Sequence, residues 1–94
     1  MTERQLQHVL NWINRQRVNY QKRAPLKKIP KGNRHNITSC PIATALNGKF
    51  EAEVETSFAS FCDIKGKRRS PILPPTVRDF VDEFDRGNLP QFEK

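Results

Sequence analysis

The sequence predicts an α+β fold in the order N-terminal helix, long basic connector, short Cys-Pro helix, two- or three-stranded antiparallel sheet, C-terminal helix. Three patterns carry this expectation. Leu6, Val9, Leu10 and Ile13 recur at helical spacing near the start, and Val77, Phe80, Val81 and Phe84 do so near the end. Between them, Phe50, Ala52 and Val54 alternate with Glu51, Glu53 and Glu55 at the period of a half-buried strand. A length of 94 residues predicts one small domain over 1-94. A chain of this size buries about two thirds of its unfolded surface, so its margin of stability is thin. Hydrophobic residues make up only 35%, but six Phe with Trp12 and Tyr20 supply large apolar groups for a core.

Thr2 and Gln5 match a capping box, which starts the first helix at about Glu3 and carries it to about Asn19. Arg4, His8, Asn11 and Arg15 fall opposite the apolar stripe and Trp12 on its flank. Arg17 lands on the stripe itself, where it must snorkel outward or mark the end of packing. Pro25, Pro30 and Gly32 then break any helix, giving an irregular basic connector at about 20-37 that Leu26 and Ile29 tack to the rest. From Asn36 to Gly48 the local signals specify a short helix. Thr38 and Ser39 are suited to cap it, Pro41 to its first turn, and Gly48 to a left-handed end.

One strand is expected over Lys49–Thr56 and a second over Ser57–Ile64, although Phe58 and Phe61, three apart, are also compatible with a turn or short helix. Lys65–Pro71 reads as a second basic turn. Thr76, with Asp79 in the reciprocal position, is expected to cap the last helix and Gly87 to end it, with Asp79, Asp82, Glu83 and Asp85 facing outward. Leu89, Pro90 and Phe92 are expected to fold back on a core of Leu6, Val9, Leu10, Ile13, Ile42, Leu46, Phe50, Val54, Phe58, Phe61, Phe80, Val81 and Phe84.

Charge is the strongest functional signal. Residues 1–48 hold nine Lys or Arg against the single acid Glu3, and residues 49–94 hold eight against nine acids, so the net +7 divides into +8 and −1. Such asymmetry attracts polyanions and weakens as salt screens it. The expected phosphate contacts are Arg15, Arg17, Lys22, Arg23, Lys27, Lys28, Lys31 and Arg34, with Lys67, Arg68 and Arg69 from the second basic turn. Trp12 and Tyr20 are the candidate stacking or partner-contact aromatics, and packing at the edge of the core is the plainer reading of Trp12.

Other chemistries find weaker support. Cys40 at a helix start is a conceivable nucleophile, but His8 and His35 are not held beside it by local geometry, and a buried inert thiol accounts for it. His8, His35, Cys40 and Cys62 lack the close pairings of a zinc site. No cofactor motif is present, and the reading is of a protein without catalysis. Two Cys, no apolar leader and no long apolar run predict a cytoplasmic protein without a membrane partner, a monomer or weak homodimer.

The segments Ser39-Cys-Pro-Ile-Ala-Thr-Ala-Leu46 and Leu73-Pro-Pro-Thr-Val-Arg-Asp-Phe-Val-Asp-Glu-Phe-Asp-Arg-Gly-Asn-Leu-Pro90, about a third of the chain, resemble small uncharacterised proteins encoded by bacteriophages. The resemblance implies a small accessory protein acting in the host cytoplasm. Together with the charge, it sets the expectation of a viral protein that binds nucleic acid or a nucleoprotein complex through a Lys/Arg-rich arm, with little sequence preference. The alternative is an inhibitor or adaptor that binds one acidic host protein, steered by the same charge around an apolar centre.

Overall fold

The structure, a computed structural model, describes residues 1–48 and 51–94. It contains helix α1 (Glu3–Tyr20), the short helix α2 (Pro41–Leu46), strands β1 (Glu53–Val54), β2 (Ala59–Cys62) and β3 (Arg68–Arg69), and helix α3 (Pro75–Asp85), followed by a 3-10 turn over Pro90–Phe92. The strands form an antiparallel sheet in sequence order, with Val54 opposite Ala59, Phe61 opposite Arg69, and Cys62 opposite Arg68. This is the α+β arrangement expected, with β1 shorter than the Lys49–Thr56 reading. Lys49 and Phe50 lie outside the described residues.

Both long helices follow their local signals. Thr2 and Gln5 close the capping box of α1 reciprocally, and Gly87 takes a left-handed φ of 81° just past α3. Two cap assignments change. The N-cap of α3 is Pro74 with no side-chain bond, and Pro75 rather than Thr76 occupies the first helical position, where a missing N–H costs nothing. The N-cap of α2 is Cys40 rather than Thr38 or Ser39; its Sγ accepts from the Ala43 N–H at 3.5 Å. At the other end of α2 the cap is Asn47 in extended conformation, not Gly48.

The core is one cluster joining α1, α2, the sheet and α3. Val9, Leu10, Ile13, Ile42, Leu46, Val54, Phe61, Phe80 and Phe84 are buried in it as expected, while Leu6 and Val81 pack against its edge. Phe58 is 38% exposed, because it precedes β2 and faces Ile72 across an isolated bridge outside the core. Ala43, Ala45, Ala52 and Ala59 are buried too, and they let α2 and the strands approach closely. Leu89 is buried and Phe92 sets its ring edge-on to Phe80 at 5.5 Å, so the C-terminal turn does fold back.

The connector is bound to this core along its length. It runs back along α1: Asn14 accepts from the Leu26 N–H at 2.7 Å and donates to the Leu26 carbonyl at 2.9 Å, and Ile29 is buried. Gly32 pairs with the C-terminal segment, its N–H donating to the Phe92 carbonyl at 2.8 Å while its own carbonyl accepts from the Lys94 N–H at 3.0 Å. A Cβ at Gly32 would run into the backbone of Ser39, Cys40 and Pro41, so only glycine fits this crossing. The radius of gyration, 12.0 Å, matches the ~12 Å of a compact chain of this length, and among the described residues the connector lies on the body rather than extending from it.

Candidate nucleic-acid interface

The C-terminal end of α1 explains how α2 ends. The last carbonyls of a helix have no partner within it. Here they are met from the end of α1 and the residues just after it: Arg17 donates to the Ala45 carbonyl at 2.7 Å, Gln21 to the Leu46 carbonyl at 2.6 Å and Arg23 to the Asn47 carbonyl at 2.6 Å. Two cations thus sit at the negative end of the α2 dipole. Arg17 also donates to the Ala24 carbonyl at 3.0 Å and is only 7% exposed, so it neither snorkels nor marks the end of packing. Burial first, and then the charge of Arg23, pushes its guanidinium below its ordinary value; an arginine so placed still carries its charge. Arg17 therefore cannot contact phosphate. Trp12 is 4% exposed, so its ring packs in the core, the plainer of its two readings, and is not presented as a stacking face.

Lys22 then takes a left-handed φ of 53°, turning the chain so that the Arg23 N–H returns to the Arg17 carbonyl. This reversal leaves Tyr20 and Lys22 exposed at the tip of α1. The β2–β3 hairpin comes to the same place. Its turn is Asp63-Ile-Lys-Gly66, with the Gly66 N–H bonded to the Asp63 carbonyl, the Asp63 N–H to the Lys67 carbonyl, and Gly66 at φ 82°. This is the geometry of a type I turn closed by a left-handed glycine. Asp63 braces it, one oxygen accepting from the amides of Lys65 and Lys67 at 2.9 Å and the other from Arg69 at 3.2 Å. Partial desolvation pushes the Asp63 carboxyl up, but the Lys67 amide, Arg69 and the Lys65 amide outweigh it and hold the group below its usual value.

The two elements are joined by the Ile64 N–H donating to the Tyr20 carbonyl at 3.0 Å. Arg69 lies over the Tyr20 ring, 4.9 Å from its centroid, and Phe61 tilts against the same ring at 6.2 Å. Between the α1 tip and the turn lies a cleft of about 400 Å³ lined by Gln21, Arg23, Gly48, Cys62, Asp63, Ile64, Lys65 and Gly66. Lys22, Arg23, Lys65, Lys67 and Arg69 thus converge on one end, where the only acid of the turn, Asp63, is already occupied by its own hairpin and by Arg69.

The other expected contacts are dispersed. Lys27 and Lys28 border a shallow hollow with Glu3, Leu6, Gln7, Leu10, Ile29 and Phe92. Ten helical residues separate Leu10 from Tyr20, which puts these lysines about 15 Å back along α1 from its tip. Lys31 and Arg15 are exposed elsewhere on the surface. Arg34 is ion-paired with Glu93 at 3.2 Å and crowds the position where Gly87 would carry a Cβ. Arg68 lies on the outer sheet face, where it donates to the Ser60 hydroxyl at 2.6 Å and to Sγ of Cys62, at the edge of the cleft, at 3.8 Å. Lys65, absent from the expected contacts, belongs with the cleft; the Asp-x-x-Gly spacing was the signal that it sits at a hairpin tip.

A second hollow, of about 220 Å³, is lined by His35, Cys40 and Asp85 among others. Its chemistry does not favour a thiolate. Burial pushes the Cys40 thiol up against the opposing bond from Ala43, and the charge of Asp85 pushes it the same way as burial. Asp85 accepts from the His35 backbone N–H at 3.1 Å. Among the described residues, no group of three His, Cys, Asp or Glu stands where it could hold a metal ion. No helix of the structure is long and apolar enough to cross a membrane. No protein-family model, no curated protein and no solved structure matches the chain.

Proposed function

We propose that this chain is a small basic accessory protein, of phage type, that binds nucleic acid or a nucleoprotein complex with little sequence preference in the cytoplasm of a host cell, without catalysis. The observation that carries the reading is the convergence at one end of two basic stretches about forty residues apart in sequence, Lys22-Arg23 and Lys65–Arg69, around the Tyr20–Arg69 stack. Clustered cations give affinity for phosphate whatever the sequence, and exposed π faces tolerate any base. The test is fluorescence anisotropy with labelled oligonucleotides across a salt series. If about four or five phosphates are neutralised on a single strand, the log–log slope should be near −3, and a Lys22→Gln, Lys65→Gln, Lys67→Gln variant should flatten it to near −1. A slope of zero in the unsubstituted protein would remove the proposal.

A second reading, an adaptor for an acidic host protein, draws on Phe58 and Ile72, paired across the strand ends at 38% and 76% exposure. An apolar centre of this kind is what a protein interface requires and phosphate binding does not. Recovery of one stoichiometric partner that is lost in Ile72→Asp, with no oligonucleotide binding, would favour it over the first.

A further inference from the structure

The cleft itself restricts the form of nucleic acid that the proposed function would engage, and the following rests on that reading. It is a half-open hollow of about 400 Å³ between the α1 tip and a hairpin turn. A duplex presents a convex, continuous phosphate surface to a protein; its bases are stacked inside and cannot enter a hollow at a helix tip. An unpaired strand can turn a base out of the stack, and aromatic and guanidinium planes are the groups that receive such bases.

The walls suit that occupant. Ile64, 65% exposed at the turn, gives an apolar edge, and Gln21 of the opposite wall is fixed by its bonds to the Leu46 carbonyl and Arg23. Arg69, over the Tyr20 ring, is bonded to Asp63 of the cleft wall, so a guanidinium and an aromatic ring stand at the margin of the hollow, outside its lining. Arg23 lines the hollow from the α1 side and Lys65 from the turn, so cations stand on both sides for flanking phosphates, and the exposed Lys22 and Lys67 lie within two residues of them in the chain. The Asp63 carboxylate would repel a phosphate were it open, but two amides and Arg69 take its lone pairs.

We propose that this cleft receives one unpaired base of a single-stranded nucleic acid, with the neighbouring phosphates on Lys22, Lys65 and Lys67. Cys62 lines the cleft and reports on its occupancy, whereas Cys40 is buried and serves as an internal control.

The experiment uses the full chain with three labelled probes, a twelve-nucleotide oligo-dT, a twelve-nucleotide oligo-U and a twelve-base-pair duplex. Affinity is read by anisotropy, and maleimide modification of Cys62 by peptide mass spectrometry with and without saturating probe. Expected are single strands bound at least tenfold more tightly than the duplex, and Cys62 modification slowed at least fivefold by single strands only. A Lys65→Gln, Lys67→Gln variant, altered at an exposed turn, should weaken single-strand binding about thirtyfold and lose the protection. Binding of single strand and duplex with equal affinity and equal protection, or single-strand binding that leaves Cys62 modification unchanged, would overturn this inference while leaving nucleic-acid binding intact. No binding of any probe would overturn both.

Discussion

The connector and the β2–β3 hairpin are both rich in Lys and Arg, yet they use their charge in opposite ways. In the connector and the α1 turn that opens it, arginines are structural: Arg17 and Arg23 close the end of α2, and Arg34 pairs with Glu93. Its Lys27 and Lys28 are left along the flank of α1 as surface charges, and of its lysines only Lys22 stands at the α1 tip. In the hairpin, one aspartate organises the turn and aims Arg69 at Tyr20, while Lys65 and Lys67 stay exposed at the tip. Charge density in the sequence does not distinguish these roles. The destination of each guanidinium bond does, because a planar fork can satisfy two carbonyls at once and an ammonium remains in water.

Breaking the structural side of this contrast should have the largest effect. Arg17→Met removes a buried cation and leaves the Ala24 and Ala45 carbonyls without it, which should cost about 3 kcal/mol and lower the melting temperature by about 15 °C in calorimetry. Gly32→Ala forces a methyl group into the backbone at Ser39–Pro41 and should cost about 2 kcal/mol, seen in urea unfolding as a lower midpoint at unchanged slope. Neither change should alter oligonucleotide affinity at a temperature where the variant is folded.

These two sites also mark where the fold could and could not be seen in sequence. Helices α1 and α3 were legible because their apolar stripes and the Thr2 capping box are local. The end of α2 was not, since its carbonyls are met by side chains 24 to 28 residues away, and a nearby Gly48 offered a plausible local answer. Strand β3 was hidden because Arg68-Arg69 has the composition of a loop; only the Asp63…Gly66 turn betrays the hairpin. Buried alanines carry too little apolar signal to be picked from a pattern, and Trp12, on the flank of the α1 stripe by spacing, is buried in the core. For the candidate site, residue types were readable but convergence was not, because that depends on a hydrogen bond between Tyr20 and Ile64.

A smaller, pH-dependent effect sharpens the hairpin side. Asp63 is held below its usual value in the folded chain, so its ionised form favours the folded hairpin above the unfolded pKa of about 3.9, and this contribution is lost as pH falls through the lower folded value. Amide exchange at Lys65 and Lys67 should therefore accelerate as pH drops below about 4, after correction for intrinsic exchange, and Asp63→Asn should abolish that dependence. The smallest perturbation is chemical. At neutral pH a maleimide should modify Cys62 well before Cys40, whose thiol is buried and pushed up; faster modification of Cys40 would restore the case for a reactive thiol.

The contrast between the two basic regions is tested most directly by two variants with the same loss of charge, Lys27→Gln, Lys28→Gln in the connector and Lys65→Gln, Lys67→Gln in the hairpin. Binding of oligo-U or oligo-dT is compared at low salt by anisotropy. The hairpin variant should lose about thirtyfold in affinity and the connector variant no more than about threefold, since Lys65 lines the cleft and Lys67 follows its turn, whereas Lys27 and Lys28 border a separate hollow. Equal losses would mean that total charge, not its placement at the α1 tip, determines binding, and the proposed interface would be wrong.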